Sequence, residues 1–313
     1  MNGILLAIQS AIAQGIIWGI MALGVYITFR ILDIADMTVD GSFATGGGVC
    51  LILITSGVSP MLAIIAAFIS GCIAGIITGI LHAKCKISAI LAGILTQIAL
   101  YSINLRIMGN RSNLPLGASD STIFKLLKST LDIPSVYINL IIGIGISLLV
   151  IIVLYWFFGT EIGSAIRATG NNEKMVTAQG ISISTTKILG LMISNGLIAL
   201  SGGLTAQLDG SADVKMGIGS IVIALASIVI GEVVFGRKGG FAVRLTSILI
   251  GSSIYRIIIA IVLQADVIND DDMKLFTAIL VAAALIIPTM NNKRRQISMY
   301  KKLTGKEITD AND

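Results

Sequence analysis

Apolar residues run along this chain in long unbroken blocks, and each block ends at a cluster of charged or turn-forming residues. Cutting where such runs reach the ~20 residues that cross a bilayer core predicts about nine segments. They are 4–29, 43–56, 61–82, 89–108, 135–158, 187–207, 219–235, 241–263 and 273–290. The second is short for a crossing and follows a polar stretch, so it predicts a discontinuous helix. Alternation of period two, the mark of a membrane-spanning strand barrel, does not dominate any of them. The expected fold is an all-α integral membrane protein: a polytopic bundle over 1–290, closed by a basic tail over 291–313.

Composition narrows the class. Hydrophobic residues make up 55% and charged ones 12%, the latter about half the usual share of a soluble domain. With a mean hydropathy of +0.93, this excludes a disordered chain, a disulfide-rich secreted domain and a nucleic-acid binder. The cysteines Cys50, Cys72 and Cys85 have no metal-ligand spacing, and His82 is the single histidine, so no metal site is expected.

Charge placement sets orientation, because Lys and Arg collect in short cytoplasmic loops. With the N-terminus outside and one crossing per segment, Arg30, Lys84, Lys86, Arg167, Lys174, Arg237, Lys238 and the tail Lys293-Arg294-Arg295 fall on the cytoplasmic side. Arg111, Lys125, Lys128, Lys215 and the run Asp270-Asp271-Asp272 fall outside. The expectation is a multi-pass protein of the cell membrane with a cytoplasmic C-terminus. Ala11-Ile12-Ala13 imitates a signal-peptide cleavage site. No Lys or Arg precedes it, and the apolar run continues to Phe29, which predicts an uncleaved first span.

Three places interrupt the apolar pattern. The first holds Asp33, Asp36, Thr38, Asp40, Gly41 and Ser42, ahead of Gly46-Gly47-Gly48. Non-helical backbone at membrane depth is tolerated only where protein or a water-filled cavity satisfies it. Two readings stand open. Either a broken helix borders a substrate path, with Asp40 or Ser42 near a half-helix N-terminus, or the stretch is a cytoplasmic loop in which one of them caps the next helix.

The second is the cytoplasmic segment 160–186. Ile162, Ala165 and Ile166, then Met175, Val176 and Ala178, predict two short helices joined at Gly170-Asn171 and stopped by Gly180. A protruding helical knob suits docking into a groove on a soluble partner. The third is a set of polar groups inside apolar runs: Gln97, Asn104, Arg106, Asn195 and Arg256. Charges in hydrocarbon cost at least ~2.5 kcal/mol, so such groups face a bundle interior or a cavity. Gln97 and Asn104, seven residues apart, share a helix face; that face suits a solute pore or interhelical hydrogen bonds. Asn195, beside Gly196, suits packing, and Arg106 and Arg256 read as snorkelling from helix ends. The candidate translocation path is thus Asp36, Thr38, Asp40, Gly41, Ser42, Gln97 and Asn104.

Thr160, Gly163, Ala165, Arg167, Ala168, Gly170 and Asn172, with Ala178, Gly180 and Ile181 beyond them, form a pattern. It resembles the coupling loop of permeases in the branched-chain amino acid and ribose class of ATP-driven importers. Ala199-Leu200-Ser201-Gly202-Gly203-Leu204 resembles the family's glycine-rich span. Gly231, Glu232, Gly236, Gly239, Gly240 and Gly251 resemble its next glycine-bearing turn and span. The likeness is weaker before Leu51, where the aspartate spacing is not the ribose-permease pattern.

The resemblance implies that Glu161, Gly163, Arg167, Gly170, Asn171, Glu173 and Gly180 couple the chain to a cytoplasmic ATP-binding-cassette ATPase. It also implies an external solute-binding protein, and a second permease copy or a homologue across a central path. The implied cargo is an amino acid, sugar or nucleoside, and 33–43 is most similar to permeases associated with amino acids, aromatic ones included. Gly231 and Gly236 have phosphate-loop spacing, but Arg237-Lys238-Gly239 stands where Lys-Ser/Thr is required. ATP and magnesium are therefore expected on the partner ATPase, with no cofactor and no catalytic residue in this chain. Two rivals fit less of the pattern. An ion-coupled secondary transporter has no use for the 160–180 knob. An intramembrane enzyme holding magnesium and diphosphate on Asn269-Asp270-Asp271-Asp272 lacks a second acidic motif.

Overall fold

A computed structural model describes residues 2–117, 120–130, 133–235 and 239–264, with scattered positions between 275 and 286. The chain divides into two compact units, Met1–Asp266 and Val267–Asp313. Helix α1 (Asn2–Tyr26) widens into a π turn (Ile27–Ile31); then follow α2 (Val39–Thr55), α3 (Pro60–Ala83) and α4 (Ala89–Ile107). Strand β1 (Asn113–Pro115), α5 (Ile123–Thr130) and α6 (Ser135–Gly159) come next, then α7 (Glu161–Asn171) and α8 (Glu173–Ala178). The unit continues through α9 (Ile183–Asp209), β2 (Ser211–Asp213), α10 (Ser220–Phe235) and α11 (Phe241–Gln264).

Among the described residues six helices are long and apolar enough to cross a membrane, and α2 and α10 are shorter apolar helices. These eight match the first eight predicted segments. The ninth, over 273–290, lies almost wholly outside the described residues, as do Arg237-Lys238, the acidic run at 270–272 and the tail. The second segment begins at Val39 rather than at residue 43. The Asp36 carboxyl accepts the Thr38 amide, which satisfies part of the helix start and lets Asp40, Gly41 and Ser42 enter the first turn. The 110–134 connection, expected as a plain loop, carries β1 and α5.

Helix α9 is the axis of the bundle, packed against α1, α2 and α3. Between membrane helices there is little hydrophobic drive, so close backbone approach supplies the packing. A Cβ on Gly46 would fall on the Ala199 carbonyl, and one on Gly71 on the Asn195 carbonyl. Asn195 lies at the middle of α9, so Ser42, bonded to it, places the start of α2 at mid-depth. Outward faces of α3, α4 and α6 expose Ile65, Ile69, Ile94, Leu149 and Ile152, as lipid-facing surface requires.

Helices α7 and α8 close one end of the bundle. At the other, β1 pairs antiparallel with β2, Leu114 opposite Ala212. The Ile123 amide donates to Gln207 Oε1 at 2.9 Å, which ties α5 to the same end of α9.

Candidate functional site

The break between α1 and α2 is built residue by residue. The Leu32 and Ile34 amides donate to the Ile27 and Thr28 carbonyls, which closes the π turn. Asp33 then takes a left-handed conformation at φ 56°, one that Asp tolerates better than most residues. The chain turns back into the bundle and meets α9. Asn195 Nδ2 donates to Asp36 Oδ2 at 2.7 Å and to the Leu191 carbonyl at 3.0 Å, while Ser42 Oγ donates to Asn195 Oδ1 at 2.6 Å. Thr38 Oγ1 lies 2.8 Å from Thr78 Oγ1, which in turn donates to Thr96 Oγ1 at 3.0 Å. Asp36, Thr38, Ser42 and Asn195 are all buried. This network locks four segments together at mid-depth.

Asp40 does something else. Its carboxylate accepts from the Gly219 amide at 3.0 Å, Ser220 Oγ at 2.9 Å and the Ile221 amide at 3.3 Å. It therefore caps α10, not its own helix, and places a negative charge on that helix's positive N-terminal end. Two short helices thus start at mid-depth, α2 served by Asp36 and α10 by Asp40. Half-helix N-termini facing a mid-membrane site are the device of discontinuous transporter helices.

Beside these starts lies a cavity of about 370 Å³, lined by Asp40 and Gly41 of α2, Gln97, Tyr101 and Asn104 of α4, and Val214 and Ile218 of the β2–α10 connection. Four of the seven sequence-predicted path residues meet in it; Asp36, Thr38 and Ser42 are turned into the network behind it. Asn104 is 1% exposed, yet neither amide atom has a hydrogen-bond partner among the described residues. A buried amide left unpaired costs about 1–3 kcal/mol, so the Asn104 amide calls for a partner.

A second cavity, of about 480 Å³, opens at the α7–α8 end between Leu32, Asp33, His82, Ile90, Gly170 and Lys187. Between the two cavities α4 touches the broken segment, since a Cβ on Gly93 would lie 2.6 Å from the Met37 amide nitrogen.

The knob has an inner and an outer side. Thr160 and Asn172 cap α7 and α8 by accepting from the Gly163 and Met175 amides. The helices part at Asn172, one residue beyond the expected junction, because its side chain is the cap. Gly170 is helical and lies against the Ile31 carbonyl; Gly163 lies against the backbone of Phe157 and Phe158. Arg167 Nη2 donates to the Phe158 carbonyl at 2.7 Å, and the guanidinium stands over the Phe241 ring. Glu173 pairs with Lys187 at 2.8 Å. Glu161, Asn171 and Gly180 stay exposed, as do the apolar Ile162 and Met175. Gly163, Arg167 and Gly170 therefore seat the knob on the bundle, and its outer face carries the exposed apolar residues Ile162 and Met175.

Sequence reasoning missed the Thr78–Thr96 pair and the Arg30–Glu232 ion pair at 2.6 Å, which joins the π turn to α10. Threonine at matching depths on two consecutive spans was the available signal for the first. Arg106 is exposed at the end of α4, but Arg256 does not snorkel from a helix end. It lies 4.0 Å from the Trp18 ring centroid, inside the bundle.

A polytopic helical bundle with two mid-depth helix starts, cavities toward both ends and a helical knob at one end is the architecture of a transport permease. The profile of the family described as "Branched-chain amino acid transport system / permease component" matches residues 7–287, and the chain belongs to that family. The tyrosine transport system permease protein of Clostridioides difficile (strain R20291) is 44% identical over 98% of this chain and 99% of its own length. The ribose import permease protein RbsC of Haemophilus influenzae is 25% identical over 79% and 74%. The inner membrane ABC transporter permease protein YjfF of Escherichia coli (strain K12) is 28% identical over 68% and 63%. This protein is a multi-pass membrane permease of an ATP-binding-cassette importer.

Proposed function

We propose that the chain imports an amino acid, with aromatic amino acids, tyrosine foremost, as cargo. The observation that carries this is near-full-length similarity, at 44% identity, to a tyrosine transport system permease; the sugar permeases are more distant. An external solute-binding protein delivers the cargo to the β1–β2 end, and a cytoplasmic ATPase binds the outer face of α7 and α8, where Ile162 and Met175 are exposed. A second copy or a homologue completes the path along the open side of the Asp40–Asn104 cavity. ATP and magnesium are held and turned over on the ATPase. The N-terminus is outside and the C-terminus cytoplasmic.

In this reading the permease performs no bond chemistry. It changes the relative stability of two conformations, and cargo and ATP each bias that balance through their differential affinity. The knob transmits movement because its inner side is wedged between Ile31, Phe158 and Phe241 rather than hung on a flexible strand. The experiment is uptake of labelled L-tyrosine by cells carrying the chain with its ATPase and binding protein. Excess phenylalanine or tryptophan is expected to compete and ribose is not. Competition by ribose alone overturns the amino-acid assignment.

A further inference from the structure

From the Asp40–Asn104 cavity we infer that Asn104 is the docking group for the charged head of a zwitterionic α-amino acid, its Oδ1 accepting from the ammonium and its Nδ2 donating to the carboxylate. The inference rests on the proposed reading of the cavity as one half of an amino-acid path. Both polar atoms of the Asn104 amide are buried and unpartnered. A ligand that satisfies them must present a donor and an acceptor side by side, as the α-carbon of an amino acid does.

The charge balance of the cavity agrees. Its one ionic lining residue is Asp40, whose two oxygens are committed to the Gly219 and Ile221 amides and Ser220 Oγ at the start of α10. Among the described residues no uncommitted charge lines the wall, so a ligand of zero net charge is favoured over a cation or an anion. Ile98, Tyr101, Val214 and Ile218 form apolar wall beside the amide. That surface suits an apolar or aromatic side chain and offers few partners to a polyol.

Position fits as well. Asn104 lies near the β1–β2 end of α4, about two helical turns beyond Gln97. Cargo arriving from that end reaches the amide before it reaches the helix starts at mid-depth. Because the Asn104 side-chain amide has no hydrogen-bond partner among the described residues, replacing it with leucine orphans none of their polar groups.

The test places a cysteine at Ser102, which lines the same cavity and is exposed, in a full-length chain lacking Cys50, Cys72 and Cys85. The complete complex with its ATPase and binding protein is kept in membrane vesicles, and the rate of reaction with a thiol reagent is measured. L-Tyrosine at about ten times its Kd is expected to slow that reaction about tenfold. Tyramine, without the carboxylate, and 4-hydroxyphenylpropionate, without the ammonium, are expected to protect much less. Protection is expected to disappear in Asn104→Leu and to return in part in Asn104→Gln, which keeps the donor and acceptor. Equal protection in Asn104→Leu, equal protection by either half-charged analogue, or no protection by any compound overturns the docking role. Tyrosine uptake that continues under those outcomes leaves the amino-acid import reading standing. Protection by ribose and not by tyrosine sinks that reading and this inference together.

Discussion

Asp36 and Asn195 are 159 residues apart in the chain and meet at 2.7 Å. Every hydrogen-bonding atom of the Asn195 amide except part of its acceptor capacity is used, by Asp36, Leu191 and Ser42. Asn195→Leu would strip the buried Asp36 carboxyl and Ser42 hydroxyl of a partner at once. The expected loss is about 2–3 kcal/mol, read as a lower unfolding midpoint of the purified protein, while Asp36→Asn, which keeps the shape, is expected to lose less. Equal midpoints for Asn195→Leu and wild type would show that the network does not hold α2 in place. In the sequence Asp33, Asp36 and Asp40 look alike, and nothing local separates a left-handed turn, a buried anchor and a distant cap. Their differences come from partners on α9 and α10, up to 181 positions away, and one sequence carries no record of such pairings. Asn195 itself was legible as a packing residue, because a polar amide in an apolar span must find a partner.

At the scale of elements, the path hangs on where α2 and α10 start. Asp40→Ala removes the α10 cap, a loss of about 1–2 kcal/mol, and is expected to lower initial uptake per amount of membrane-inserted protein. Asp40→Asn still accepts hydrogen bonds and is expected to retain more activity, and Asp33→Ala, which leaves the α10 cap in place, is expected to lose less than Asp40→Ala. Wild-type uptake by Asp40→Ala would mean that the α10 start can move freely without effect. The knob makes a separate prediction. A Cβ on Gly170 has no room beside the Ile31 carbonyl, so Gly170→Ala should lift α7 off the end of the π turn. ATP hydrolysis by the complex then persists while cargo moved per ATP falls, measured side by side in reconstituted complex; an unchanged ratio contradicts the seating. The spans were legible because apolar runs of bilayer length are unmistakable, and the two knob helices because their apolar spacing and Gly180 are local; the Asn172 cap that sets their junction was not read. The β1–β2 pair was not, since three-residue strands from distant loops leave no periodicity to read.

For the whole molecule, orientation and energy source each have a direct test. Single cysteines at Ser121 and at Asn172, in a background lacking the native three, are expected to label from opposite sides of intact cells, Ser121 from outside. Labelling of both from one side would mean that the crossings between them number an even count. The fold class and the family were readable from hydropathy blocks and the 160–180 pattern; the shared cavity was not, because it depends on how α2, α4 and the β2–α10 connection come together. The central claim is that this permease is driven by ATP hydrolysed on another polypeptide. Its most direct test is initial-rate uptake of L-tyrosine into proteoliposomes holding the chain with its ATPase, with binding protein outside and nucleotide enclosed. Uptake is expected with hydrolysable ATP and is expected to vanish when ATP, the ATPase or the binding protein is omitted, whatever ion gradient is imposed. Uptake driven by a sodium or proton gradient in the absence of ATP would contradict it.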